Sequence, residues 1–126
     1  MKEKELNIIN IQIVATYIFI FSLIISLLLT YNDKLDKINK KTIFNKKQTY
    51  KISIFNRILI VVISLVFLYT NNSNRKIAKD KGININPFNL QIIASELSLL
   101  AAIIVTYVVI TSGEYSIISS VENPNL

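Results

Sequence analysis

Three apolar segments, Ile8 to Thr30, Ile52 to Thr70 and Pro87 to Thr111, occupy more than half of the 126 residues and contain only two charged side chains, Arg57 and Glu96. Apolar blocks of this length, without an amphipathic stripe, suit a bilayer and not a soluble core. At about 1.5 Å of helical rise per residue, the first segment spans about 34 Å and the third about 37 Å, against a hydrocarbon thickness of about 30 Å. The second is shorter and carries Asn56 and Arg57 near its start. Its thirteen Ile, Leu, Val and Phe residues contribute roughly 6 kcal/mol toward insertion, whereas a central Arg costs about 3 and less near an interface. It should therefore cross as well. The expected architecture is an all-α membrane protein of three transmembrane helices, about 8–30, 52–70 and 87–111, packed as a small bundle. One membrane domain accounts for residues 1–126, with a basic loop at 31–51, a basic polar loop at 71–86 and a flexible tail at 112–126.

Composition removes several classes of function. The net charge of +6 comes from twelve Lys and two Arg, and the basic stretches flank the apolar segments. That placement suits anionic lipid headgroups and lacks the aromatic interleaving of a nucleic-acid surface. Cysteine and histidine are absent, which removes disulfides, thiol catalysis and the commonest metal ligands and proton shuttle. The serines have no His or suitably placed Lys as a base, and Gly82 and Gly113, the only glycines, form no phosphate-binding loop. No enzyme activity and no cofactor are expected. The first apolar segment exceeds a signal-peptide core and is followed by no small-x-small site, so it reads as an uncleaved anchor. An excess of Ile, Lys and Asn points to an AT-rich bacterial genome, and hence to a bacterial cytoplasmic membrane.

Within the bilayer, helices associate by close packing and interhelical hydrogen bonds, because lipid tails give no hydrophobic drive. Small residues recur every four positions at Ala94, Ser98, Ala102 and Thr106, and at Ser22, Ser26 and Thr30. These stripes are the expected contact faces. Counting residues from the helix ends places Gln12 and Gln91 about 6 Å inside the amino-terminal side, within reach of each other. The same count places Thr16, Glu96 and Ser64 in a layer about 12 to 14 Å deep. Glu96 carries the sharpest functional reading, proton or cation coupling, beside a structural one in which it hydrogen-bonds to Thr16 or Ser64. Arg57 lies about 9 Å from Glu96 along the membrane normal and is expected to snorkel to the headgroups. Tyr31, Tyr50, Tyr69 and Phe88 fall where an interfacial aromatic belt belongs.

Helix boundaries follow from punctuation. Tyr31, Asn32 and Asp33 should end the first helix, although Leu35 and Ile38 are spaced to let it continue along the surface. Gly82 breaks the second loop, and Asn86 as N-cap with Pro87 at the first helical position should open the third helix. Orientation is nearly balanced. Seven Lys follow the first segment against two before it, while four basic residues precede the third and none follow. With Arg57 assigned to its nearer face, the two sides carry eight and six positive residues, which weakly favours an outside amino terminus and permits dual insertion.

The functional expectation is a small non-enzymatic integral membrane protein that acts by helix packing with itself or a membrane partner, as an accessory or immunity-like component. The alternative is an oligomeric ion or proton pathway centred on Glu96, since three helices enclose no pore alone. In length and span count the chain resembles phage holins, which implies a holin-like pore former, although its tail lacks the basic residues common in that class.

Overall fold

The computed structural model describes residues 2–112 and consists of three α-helices, α1 (Lys2–Lys37), α2 (Lys46–Asp80) and α3 (Asn86–Ser112). Each is long and apolar enough to cross a membrane, and no strand occurs among the described residues. Of the expected tail at 112–126, Ser112 belongs to α3, and the rest, Gly113 included, lies outside the described residues.

The apolar segments are the middles of longer helices. α1 continues through Tyr31, Asn32 and Asp33 to Lys37, and α2 begins at Lys46 and runs to Asp80, so most of the expected loops at 31–51 and 71–86 is helical. Hydropathy falls where a helix leaves lipid, but nothing there obliges its backbone to stop. Capping does. After Lys37 the chain turns through Asn39 at φ 60, with Asn39 N bonded to Asp36 O at 3.1 Å and Lys40 N to Leu35 O at 2.9 Å. This is the two-bond Schellman closure, built on one of the few non-glycine residues that tolerate the left-handed region. Asn45 then opens α2 through a capping box: its side chain accepts from Gln48 N at 2.8 Å, and Gln48 Oε1 accepts from Asn45 N at 3.0 Å. Gly82, at φ 73, closes α2 with the same Schellman pair, Gly82 N to Lys79 O and Ile83 N to Ala78 O. At α3 the cap lies earlier than expected. Ile85 O accepts the first helical bond, from Asn89 N, while the Asn84 side chain accepts from Asn86 N at 3.1 Å.

α2 is the central element. It packs against α1 and α3, which make no packing contact with each other among the described residues. Two parallel seams on α2 follow from its sequence register. Positions Thr49, Asn56, Ile63, Thr70 and Ile77 repeat every seven residues; the last four are buried, and Thr49 and Asn56 reach α1 through hydrogen bonds. One residue on, Tyr50, Arg57, Ser64, Asn71 and Ala78 form the second seam, from which Tyr50, Arg57 and Asn71 bond to α3. A seven-residue repeat keeps a seam in register along a helix, in the manner of a left-handed bundle.

The same arithmetic corrects the expected α3 stripe. Steps of four residues advance 400°, so each drifts about 40° around the helix. Ala102 is buried and Thr106 half-buried, but Ala94 and Ser98 are exposed. The face toward α2 instead alternates steps of four and three through Phe88, Ile92, Ser95, Leu99, Ala102, Thr106 and Val109, all buried or half-buried. On α1, Ser22 and Ser26 are buried, while Thr30 is exposed and spends its hydroxyl on Ser26 O at 2.8 Å.

Candidate functional site

The polar residues inside the apolar segments divide into an interior clamp, an open cleft and an outward-facing carboxyl. The clamp is centred on Asn56, which is fully buried. Ser22 Oγ donates to Asn56 Oδ1 at 2.7 Å, and Asn56 Nδ2 donates to Ser26 Oγ at 2.9 Å. One amide thus satisfies two hydroxyls one helical turn apart on α1, in a place where unmade hydrogen bonds are costly. Toward the first loop, Asn32 repeats the device: its Oδ1 accepts from Phe44 N at 2.8 Å, and its Nδ2 reaches Thr49 Oγ1 at 3.3 Å. At the opposite end, Lys81 pairs with Glu5, joining the turn after α2 to the start of α1.

Arg57 does not snorkel. It is 2% exposed and is the largest of the fully buried side chains, and its carbonyl lies 3.4 Å from the Thr106 hydroxyl. An ionisable group at this depth is tolerated when it faces the bundle and not lipid, and the Tyr50–Arg57–Ser64 register turns it toward α3. Tyr50 is half-buried and donates to Ile110 O at 2.9 Å, pinning the end of α3. Tyr31 and Tyr69 are exposed, whereas Phe88 is half-buried in the cleft wall.

Because α1 and α3 do not pack against each other, an open cleft of about 540 Å³ lies between them with α2 as its floor. Gln12 contributes from α1, Ser64, Phe67, Asn71 and Asn74 from α2, and Phe88, Gln91, Ala94, Ser95 and Ser98 from α3. From Phe88 to Ser98 the cleft descends about 15 Å along α3. Its lining mixes amides and hydroxyls with Phe67, Phe88 and Ala94, and holds no charged side chain. Asn71 Nδ2 donates to Ser95 Oγ, and Ser64 returns its hydroxyl to Ile60 O at 2.8 Å. Among the described residues, the side chains of Gln12, Asn74, Gln91 and Ser98 make no hydrogen bond within the chain. Gln12, Gln91 and Ser98 fall within the apolar segments, where such groups require water or a polar guest.

The expected pairings are rearranged accordingly. Gln12 and Gln91 line one cleft without bonding to each other. Thr16, Glu96 and Ser64 do not form a layer: Thr16 is exposed on the flank of α1, with its hydroxyl bonded to Gln12 O at 2.7 Å. Glu96 is exposed on α3. Two residues rotate a helix by 200°, so Ser98 on the cleft wall and Glu96 lie on nearly opposite flanks. Glu96 shares its outer flank with Ile93, Leu100, Ile103 and Tyr107, each about half or more exposed. Depth along a helix does not fix that rotation. Among the described residues no cluster of His, Cys, Asp or Glu is placed to hold a metal ion.

No protein-family model, no curated protein and no solved structure matches the chain.

Proposed function

We propose that the chain is a non-enzymatic integral membrane protein, an accessory or immunity-like component of a bacterial cytoplasmic membrane, that acts by lateral association of its helices with itself or a membrane partner. The observation that carries this reading is the cleft between α1 and α3, whose Gln12, Asn74, Gln91 and Ser98 side chains lack internal hydrogen-bond partners. The amides and hydroxyls in this lateral opening favour a polar-bearing helix over a lipid tail, because hydrocarbon would leave each of them unsatisfied. Anionic headgroups around the Lys-rich ends then hold the bundle in place.

A photoreactive residue at Ser98 is the test, with Ile24 on the exposed side of α1 as the control. Irradiation of intact membranes should give discrete protein adducts from position 98 and lipid adducts from position 24. Lipid adducts alone at both positions would remove the basis of the reading. The ion-pathway alternative needs several copies, since Glu96 lies off the cleft within one chain. On that alternative, Glu96→Gln would abolish a measured ion flux without changing membrane assembly.

A further inference from the structure

Two features of α3 are each incomplete alone and complementary to one another. The outer flank presents the Glu96 carboxyl on a surface otherwise formed by Ile93, Leu100 and Tyr107. A carboxyl facing hydrocarbon is among the most expensive placements in a membrane helix. The nearly opposite flank borders the cleft, which holds amide and hydroxyl groups without internal partners and no acidic side chain to receive them. Glu96 lies between Ser95 and Ser98 in sequence, so in a second copy inserted in the same orientation it sits within about 3 Å of their depth. The Ser98 hydroxyl, at that depth, can donate to a carboxylate oxygen or accept from the neutral acid.

We propose that the cleft is a self-association site in which Glu96 from a second, parallel copy of this chain hydrogen-bonds to the Ser98 hydroxyl of the first. The proposal rests on the association reading above and names the partner within it. Carboxyl and cleft occupy different flanks, so the contact is head-to-tail: each copy donates Glu96 on one side and accepts on the other. A contact of this kind closes into a ring or extends, and differs from a two-fold pair in which like residues meet. Both features are open in the isolated chain, so joining them requires no rearrangement of α1–α2 packing.

Cysteine is absent from the sequence, which allows clean disulfide mapping in intact membranes. Full-length chains carrying Ile93→Cys and Ala94→Cys, with different tags, are co-expressed and oxidised. The mixed disulfide should dominate, with little self-crosslinking of either variant. Glu96→Leu in the Ile93→Cys chain should lower the mixed yield about threefold or more, as expected for loss of one intramembrane hydrogen-bonded contact, while Glu96→Gln should retain much of it. Glu96 is exposed in the single chain, so the leucine variant should keep its α1–α2 packing, checked by its membrane content and unfolding midpoint. Equal or stronger Ile93→Cys self-crosslinking overturns the head-to-tail contact, as does a mixed yield indifferent to Glu96→Leu. A monomer by photobleaching counts overturns self-association. If adducts at position 98 are then to a different protein, only the identity of the partner falls, whereas lipid adducts alone remove both readings.

Discussion

Replacing Asn56 with alanine should weaken the α1–α2 interface more than any other single amide removal, because Asn56 is fully buried and bonds to both Ser22 and Ser26. Interhelical hydrogen bonds in membranes average about 0.6 kcal/mol by double-mutant cycles and reach about 1.7. Two such bonds give about 1 to 3 kcal/mol, with a small addition for the space left by the amide. The stranded serines limit the loss, since each hydroxyl can turn back to a carbonyl of its own helix, as Thr30 already does toward Ser26 O. Reversible unfolding in mixed micelles provides the assay, with Asn56→Ala, Ser26→Ala and the double variant forming one thermodynamic cycle. A coupling energy of about 0.6 kcal/mol is expected. Thr30→Ala, at an exposed site, should change stability by less than about 0.5 kcal/mol. Zero coupling, or an Asn56→Ala protein as stable as the parent, would refute the clamp.

Other substitutions test separate parts of the fold. Ser53 is buried with no hydrogen-bond partner for its hydroxyl, so Ser53→Ala should leave stability unchanged or raise it by up to about 1 kcal/mol; a clear loss would reveal a missed bond. Gly82→Ala forces a side chain into φ 73 with open space around it, and should cost about 1 to 2 kcal/mol from backbone strain alone, measured by the same unfolding assay. Asn32→Ala removes the bonds that hold Phe44 and Thr49. Its loop at 38–45 should be cleaved faster by added protease, and unchanged cleavage would show that those bonds do not order it.

The three apolar segments located the helices, because sustained apolar length has one solution in a bilayer: a helix with its backbone hydrogen bonds internal. Their ends were less legible. The Asn45-x-x-Gln48 capping box was present in the sequence, but the second helix was expected to begin at Ile52, where hydropathy rises. Asn32 carries a turn-forming residue type yet sits inside α1 and bonds to Phe44 across the loop. Gly82 was read as a breaker and is one, since only its backbone requirement mattered there.

At the level of the site, rotation around each helix, and not charge and depth alone, decides what meets. Glu96 faces outward, and the four-residue stripe on α3 lies off the contact face at Ala94 and Ser98, reaching it only at Ala102 and Thr106. Asn56 was visible as a polar residue in an apolar segment. Its seven-residue spacing from Thr49, Ile63 and Thr70, set against Ser22 and Ser26, was the signal that could have identified it as the centre of the α1–α2 seam. Arg57 was assigned to the interface from its sequence position, but the adjacent seam carries it inward. The cleft depends on α1 and α3 being held apart by α2, a tertiary relation that no local pattern encodes.

Every functional statement depends on α2 crossing the membrane between α1 and α3, which places the first loop and the cleft mouth on opposite faces. Single cysteines at Lys46 and Lys79, in a chain with none of its own, can be labelled by a membrane-impermeant maleimide in intact cells and again after lysis. The three-helix arrangement requires one position to react before lysis and the other only after it, in a uniform population. Equal reactivity of both from the same face would contradict it.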